Sequence, residues 1–222
     1  MSFILNIDAA VQSASICLSA AGQSLVLEVN NEPRDSAAWL HVAIQKLMQQ
    51  QGVTLQQLSA IAVSAGPGSY TGLRVGMATA KGLCYALQKP LITISTLQMM
   101  AAAVENVTTD FICPMIDARR MEVFTAVFDL SLNEVVPASA VILEPNTFAE
   151  LLQKKRITFL GNGSSKFAAL VQHPNAFFDE VEANASHLVG LAHKKLIANN
   201  FTDLAYAEPA YGKAFFSPAH NK

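Results

Sequence analysis

Ala60-Ile61-Ala62-Val63-Ser64, followed by Ala65-Gly66-Pro67-Gly68-Ser69-Tyr70-Thr71-Gly72-Leu73-Arg74-Val75-Gly76, carries the decisive local signal. The short apolar run bounded by a Gly-Pro-Gly turn reads as a buried strand, Ala60–Ser64. Beyond the turn, Thr71–Leu87 reads as a helix that stops before Pro90. A strand running into a glycine turn from which a helix leaves is the local unit of an α/β fold.

Working outward, the same unit recurs. Ile157–Leu160 leads into Gly161-Asn162-Gly163-Ser164 and a short helix, as Ala60–Ser64 leads into Gly66-Pro67-Gly68-Ser69. Upstream of each lies another matched pair. Phe3–Ile7 runs into Ile7-Asp8-Ala9, with a strand over Ser13–Ser19; Phe111–Ile116 ends in Ile116-Asp117-Ala118, with a hairpin partner over Val123–Asp129. The order strand, IDA, strand, then strand, GxGS, helix therefore occurs twice and predicts a duplicated α/β unit. Ser24–Val29 extends the opening strands into a meander, and Leu91–Ile94 adds a strand followed by a helix from about Thr96. A helix over Asp35–Gln51, capped by Asp35 or Ser36, presents Leu40, Ile44, Leu47 and Met48 and ends at Gly52. Residues 1–105 form the first half and 106–183 a smaller second half. A helix over about 184–200, with Ala185, Leu188, Val189, Ala192 and Leu196 on one face, is expected to pack back on the first.

Charge is scarce and uneven. The 222 residues carry 15 Lys plus Arg and 17 Asp plus Glu, 14% of the chain, with 51% hydrophobic residues and a net charge of −2. Such a composition excludes a disordered chain and a strongly basic nucleic-acid scaffold. From Ser36 to Val104 there is no acid, and only Lys46, Arg74, Lys81 and Lys89 are charged. That stretch is expected to be buried or covered by a partner. Its uncharged runs are too short or too polar for a membrane span of about 20 residues, and no signal peptide is evident. Cys17, Cys84 and Cys113 read as buried free thiols, so a soluble cytoplasmic protein is expected.

The chemistry the residues support is limited. Amides at the start of the Thr71 helix can hold an anion, with Asp8, Gly66, Gly68 and Ser69 as candidate binding residues; the same turn can equally serve only to bring the helix close to the sheet. It matches neither GxGxxG nor a Walker A loop. Gly72, Gly76 and Ala80 form a small-residue ridge, suited to packing within the fold or to a subunit interface. Asp8 and Asp117 stand at strand ends, either capping turns or acting as a catalytic pair. His41, His173, His187, His193 and His220 form no metal-ligand motif, and no nucleophile elbow is present.

Taken together, Ile7-Asp8-Ala9, the run Gly66–Gly76, Ser95-Thr96-Leu97, Ile116-Asp117-Ala118-Arg119 with Glu122-Val123, and Glu208-Pro209-Ala210-Tyr211 resemble the TsaB (YeaZ) family. The resemblance spans nearly the whole chain. It implies two actin/Hsp70-like (ASKHA, RNase H-like) halves, each a mixed sheet with helices. It implies a non-catalytic subunit that pairs with a TsaD-type transferase, joined by a TsaE-type ATPase, in threonylcarbamoylation of the adenine beside the anticodon in ANN-decoding tRNAs. A homodimer is expected when the chain is alone, tRNA is met only through the complex, and a nucleotide, if any, sits at a shared subunit interface. The implied partner surface draws on Tyr70, Leu73, Arg74, Gly76, Met77, Ala80 and Lys81. Ala9 replaces the usual Thr, neither Asp8 nor Asp117 precedes a glycine, Asp35-Ser36 replaces His-Ser, and Tyr211-Gly212-Lys213 replaces Tyr-Leu-Arg. The first two departures argue against independent ATP hydrolysis. The alternative is an actin-like phosphotransferase or ATPase using Asp8 and the two GxGS turns; a metalloprotease is disfavoured.

Overall fold

The computed structural model describes residues 2–30, 32 and 36–212. In the first half, β1 (Phe3–Asp8), β2 (Ser15–Ala20) and β3 (Gln23–Val29) form an antiparallel meander. After α1 (Ser36–Gln50), β4 (Leu58–Ser64) joins β1 in parallel, and after α2 (Tyr70–Leu87), β5 (Leu91–Ile94) joins β4 in parallel. The sheet order is β3-β2-β1-β4-β5.

α3 (Thr96–Ala101) leads into the second half, where β6 (Phe111–Asp117), β7 (Glu122–Phe128) and β8 (Glu134–Ile142) repeat the meander. β9 (Ile157–Leu160) and β10 (Ala176–Asp179) then add in parallel, with α4 (Ala149–Leu152) and α5 (Ser164–Ala168) between. Read from its β8 edge, this sheet runs β8-β7-β6-β9-β10, the order of the first sheet strand for strand. Two mixed sheets of identical topology make the molecule a duplicated α/β protein, as the paired motifs predict, and agree with the actin/Hsp70-like halves that the resemblance implies.

The core follows from strand alternation. Leu5, Ile7, Ile61 and Val63 face α1 and α2, meeting Leu40, Leu47, Met77 and Ala80. Ile4, Ala60 and Ala62 point to the opposite face, where they meet Leu188, Leu191 and Ala192. Those three come from a 3-10 turn (Ala185–Leu188) and α6 (Val189–Ile197). The single helix expected over 184–200 is thus two elements. Asn184 accepts from Ser186 N and caps the turn, and the α-helix starts only at Val189. In the second half, Phe159 and Phe167 centre one core and Ile112, Phe128 and Leu160 the other. Helix α3 joins the halves: Met99 packs into the first, Leu97 and Met100 into the second.

β8, β10 and α4 were not expected from sequence. The cap expected from Asp35 lies outside the described residues, as does everything from Lys213 on. Among the described residues no helix is long and apolar enough to cross a membrane.

Candidate functional site

Asp8 ends β1 and is fully buried. Its Oδ1 accepts from Ser64 Oγ at 2.5 Å and from Ala10 N at 3.0 Å, while Oδ2 has no hydrogen-bond partner. Burial is the largest influence and pushes the carboxyl up to about 6, against the lowering effect of the two donors. The folded chain thus holds a proton between about pH 4 and 6 that the unfolded chain releases, and stability falls as pH rises through that window. Roughly 3 kcal/mol separates the two ends. Comparing Asp8→Asn with wild type in urea melts, the variant is expected to gain relative stability from pH 4 to pH 7 and then hold level; a constant difference across that range would sink this assignment.

The glycine turn rests on Asp8's neighbours. Ser69 N donates to Ala10 O at 2.8 Å, Ser69 Oγ accepts from Gly72 N at 3.2 Å, and Gly66 N donates to Thr96 Oγ1 at 3.1 Å. A side chain at Gly68 or Gly72 would collide with the carbonyl oxygens of Ala10 and Ala9, and one at Gly66 (φ +112°) with that of Ala210. Asp8, Gly66, Gly68 and Ser69 are therefore brought together, with the chain's own backbone at Ala9, Ala10 and Ala210 packed on the Cβ side of the glycines. The turn lets α2 approach the sheet closely.

The ridge on α2 packs inward as well. Gly72, Leu73, Gly76, Met77 and Ala80 are buried, and the space beside Gly76 is bounded by Val63, Ala9 and Ile7. Leu73, Gly76, Met77 and Ala80 thus belong to the chain's own helix-on-sheet contact, buried in the single chain. The outer face of α2 carries Tyr70, Arg74, Ala78, Gly82 and Tyr85, all exposed, with Lys81 half-buried at its side.

Along that face runs a strap, residues 201–212, whose role the isolated motifs did not disclose. Thr202 bridges to Leu91 at the edge of the first sheet. Lys81 Nζ donates to Ala207 O at 2.9 Å and Ala205 O at 3.5 Å. Ala210 N donates to Ala65 O at 2.7 Å, and Arg74 Nε donates to the Tyr211 hydroxyl at 2.9 Å. The guanidinium lies 4.0 Å from the Tyr70 ring centroid, and the Tyr70 and Tyr211 rings are 5.1 Å apart. The available signal was Glu208-Pro209-Ala210-Tyr211 itself, an ordered motif with no element of its own.

Asp117 occupies the matching strand end in the second half under opposite electrostatics. It is exposed, receives Lys166 Nζ at 2.7 Å and Arg119 N at 2.6 Å, and is held below the usual carboxylate range chiefly by the Lys166 bond. Asp8 and Asp117 share no hydrogen-bond partner. Between the lobes lies a cleft of about 450 Å³ lined by Gly66, Ser95, Phe124, Glu134 and Lys195, among others; the Lys195 amine donates to Thr93 O at 2.8 Å and burial lowers its pKa. Among the described residues no group of three or more His, Cys, Asp or Glu is placed to hold a metal ion.

Fold and site together define an actin-like α/β protein whose glycine turn packs against its own backbone at Ala9, Ala10 and Ala210. The family model described as TsaD, tRNA N6-adenosine threonylcarbamoyltransferase, matches residues 31–210. The chain is 34% identical over 135 residues to the tRNA threonylcarbamoyladenosine biosynthesis protein TsaB of Bacillus subtilis (59% of this chain, 58% of that protein). It is 26% identical over 221 residues to TsaB of Haemophilus influenzae, covering 94% and 92%. The solved structure of YeaZ from Pseudomonas aeruginosa superposes with a TM-score of 0.81 at 27% identity, over 95% of this chain and 100% of that one. The chain belongs to this family, on its TsaB (YeaZ) branch.

Proposed function

We propose that the chain is a non-catalytic scaffold subunit of tRNA threonylcarbamoyladenosine biosynthesis, acting in the cytoplasm. It activates a TsaD-type transferase by pairing with it, a TsaE-type ATPase joins the assembly, and tRNA is met through the complex. Alone, the chain pairs with a second copy.

The observation that carries this reading is the outer surface of α1 and α2. The stretch from Ser36 to Val104 that supplies both helices contains no acid. Their inner faces are consumed by the core, while Val42 and Tyr85 stand 65% and 73% exposed. Beside them an apolar groove of about 590 Å³ is lined by Ile44, Met48, Val53 and Leu83. A charge-depleted surface with exposed aliphatic and tyrosine side chains has the composition of a protein interface.

Affinity purification from the native cell is expected to recover a TsaD-type protein with the wild-type chain. Ala78→Trp, which places bulk on the exposed face of α2, is expected to leave the melting temperature unchanged and to weaken pairing by about 100-fold. Undiminished recovery with this variant would move the interface elsewhere.

A further inference from the structure

We propose that the strap at residues 201–212 and the outer face of α2 form one composite docking surface, with Tyr206 at its centre. Its occupant is a protein surface that offers an apolar pocket to Tyr206 and carboxylates to Arg74 and Lys81. The proposal rests on the pairing function above and names the part of this chain that the partner reads.

Three observations converge. First, the strap runs antiparallel to α2, fixed by Lys81 at residues 205 and 207, by Arg74 at Tyr211 and by Ala65 at Ala210. Lys81 grips the carbonyls on either side of Tyr206, so the 83%-exposed Tyr206 ring projects from an anchored stretch of backbone. Holding a large side chain outward in this way lowers the ordering cost of binding it.

Second, the four tyrosines of the chain are Tyr70, Tyr85, Tyr206 and Tyr211, and all lie on α2 or on the strap. Tyrosine with arginine is the composition of interface hot spots.

Third, Arg74 and Lys81 have no carboxylate partner among the described residues; the two ion pairs there are Arg156–Asp110 and Lys166–Asp117. Their hydrogen bonds run to a hydroxyl and to carbonyls, so neither charge meets a carboxylate among the described residues and both are left to an acidic rim. Arg74 is accordingly a positioning residue for the strap as well as a cation for the partner.

The test is calorimetric titration of the full chain against the TsaD-type protein of the same cell, with Tyr206→Ala, Arg74→Gln and Ala78→Trp as variants. Tyr206→Ala is expected to keep the wild-type melting temperature and to bind about 30-fold more weakly. Arg74→Gln is expected to weaken binding, to flatten its salt dependence, and to expose the strap to limited proteolysis. If Ala78→Trp blocks binding while Tyr206→Ala stays within about threefold of wild type, α2 is the interface and the strap is not part of it, which overturns the proposal. If Tyr206→Ala abolishes self-association and spares the mixed complex, the strap serves a second copy and the proposal again falls. No binding by the wild-type chain would remove the pairing function itself.

Discussion

Gly72→Ala is expected to destabilise the protein by about 3–5 kcal/mol. Alanine is the better helix former by about 1 kcal/mol, so propensity alone predicts the reverse. Packing wins because the new methyl meets the carbonyl oxygen of Ala9, and the carbonyl cannot rotate away as a side chain does. That peptide precedes Ala10, whose N–H holds Asp8 and whose carbonyl holds Ser69. Displacing it would disturb the carboxylate, the turn and the helix together. Two glycines further along α2 provide internal controls. Beside Gly76 a methyl meets Val63, Ala9 and Ile7 at 3.5–3.9 Å, ordinary contact distances, so Gly76→Ala should change stability by less than about 1 kcal/mol. Around Gly82 nothing lies within 4 Å, so Gly82→Ala should add about 0.5–1 kcal/mol. Urea melts of the three variants check the gradation. Equal effects at all three sites would mean that helix propensity, not close approach to Ala9, decides this helix.

Phe167→Ala carries the second large effect, about 3–5 kcal/mol. Phe167 is fully buried on α5, with ring centroids of Phe159, Phe148 and Phe178 at 4.9, 5.7 and 6.3 Å. Removing it leaves a ring-sized void within an aromatic cluster, where dispersion contacts and edge-to-face geometry are lost together. Phe167→Leu keeps much of the volume and should lose only about 1–2 kcal/mol. Trp39, the single tryptophan, packs against the other lobe's core, so its fluorescence reports that lobe while circular dichroism reports both. Because α3 inserts Met99 into one core and Leu97 and Met100 into the other, the fluorescence transition is expected to shift with the dichroism. A tryptophan transition unmoved by Phe167→Ala would show that the lobes unfold separately.

The fold was legible where chemistry repeats. IDA at a strand end and GxGS at a strand-to-helix turn each serve a local need, and their recurrence in the same order encodes the duplication. β8 was illegible because Pro137 and small residues blur its alternation, which an edge strand tolerates. β10 is four residues long, too short for a period to show. At the site, sequence spacing put Gly72, Gly76 and Ala80 on one face of the helix correctly but could not say what that face meets. Small residues permit close approach to another helix and to the chain's own sheet alike, and the neighbours that decide, Ala9 and Val63, are distant in sequence. Likewise Arg74 and Tyr211 stand 137 residues apart, a separation no local pattern spans.

That long reach has a consequence for how the protein is made. One face of the first sheet, with Ile4, Ala60, Ala62 and Ile92, is covered by Leu188, Leu191 and Ala192, and the outer edge of its helix layer by the strap. The second sheet draws its strands from residues 111–179 alone. During synthesis the first sheet must therefore wait, one apolar face uncovered, until α6 and the strap leave the ribosome. The half translated first is the half completed last.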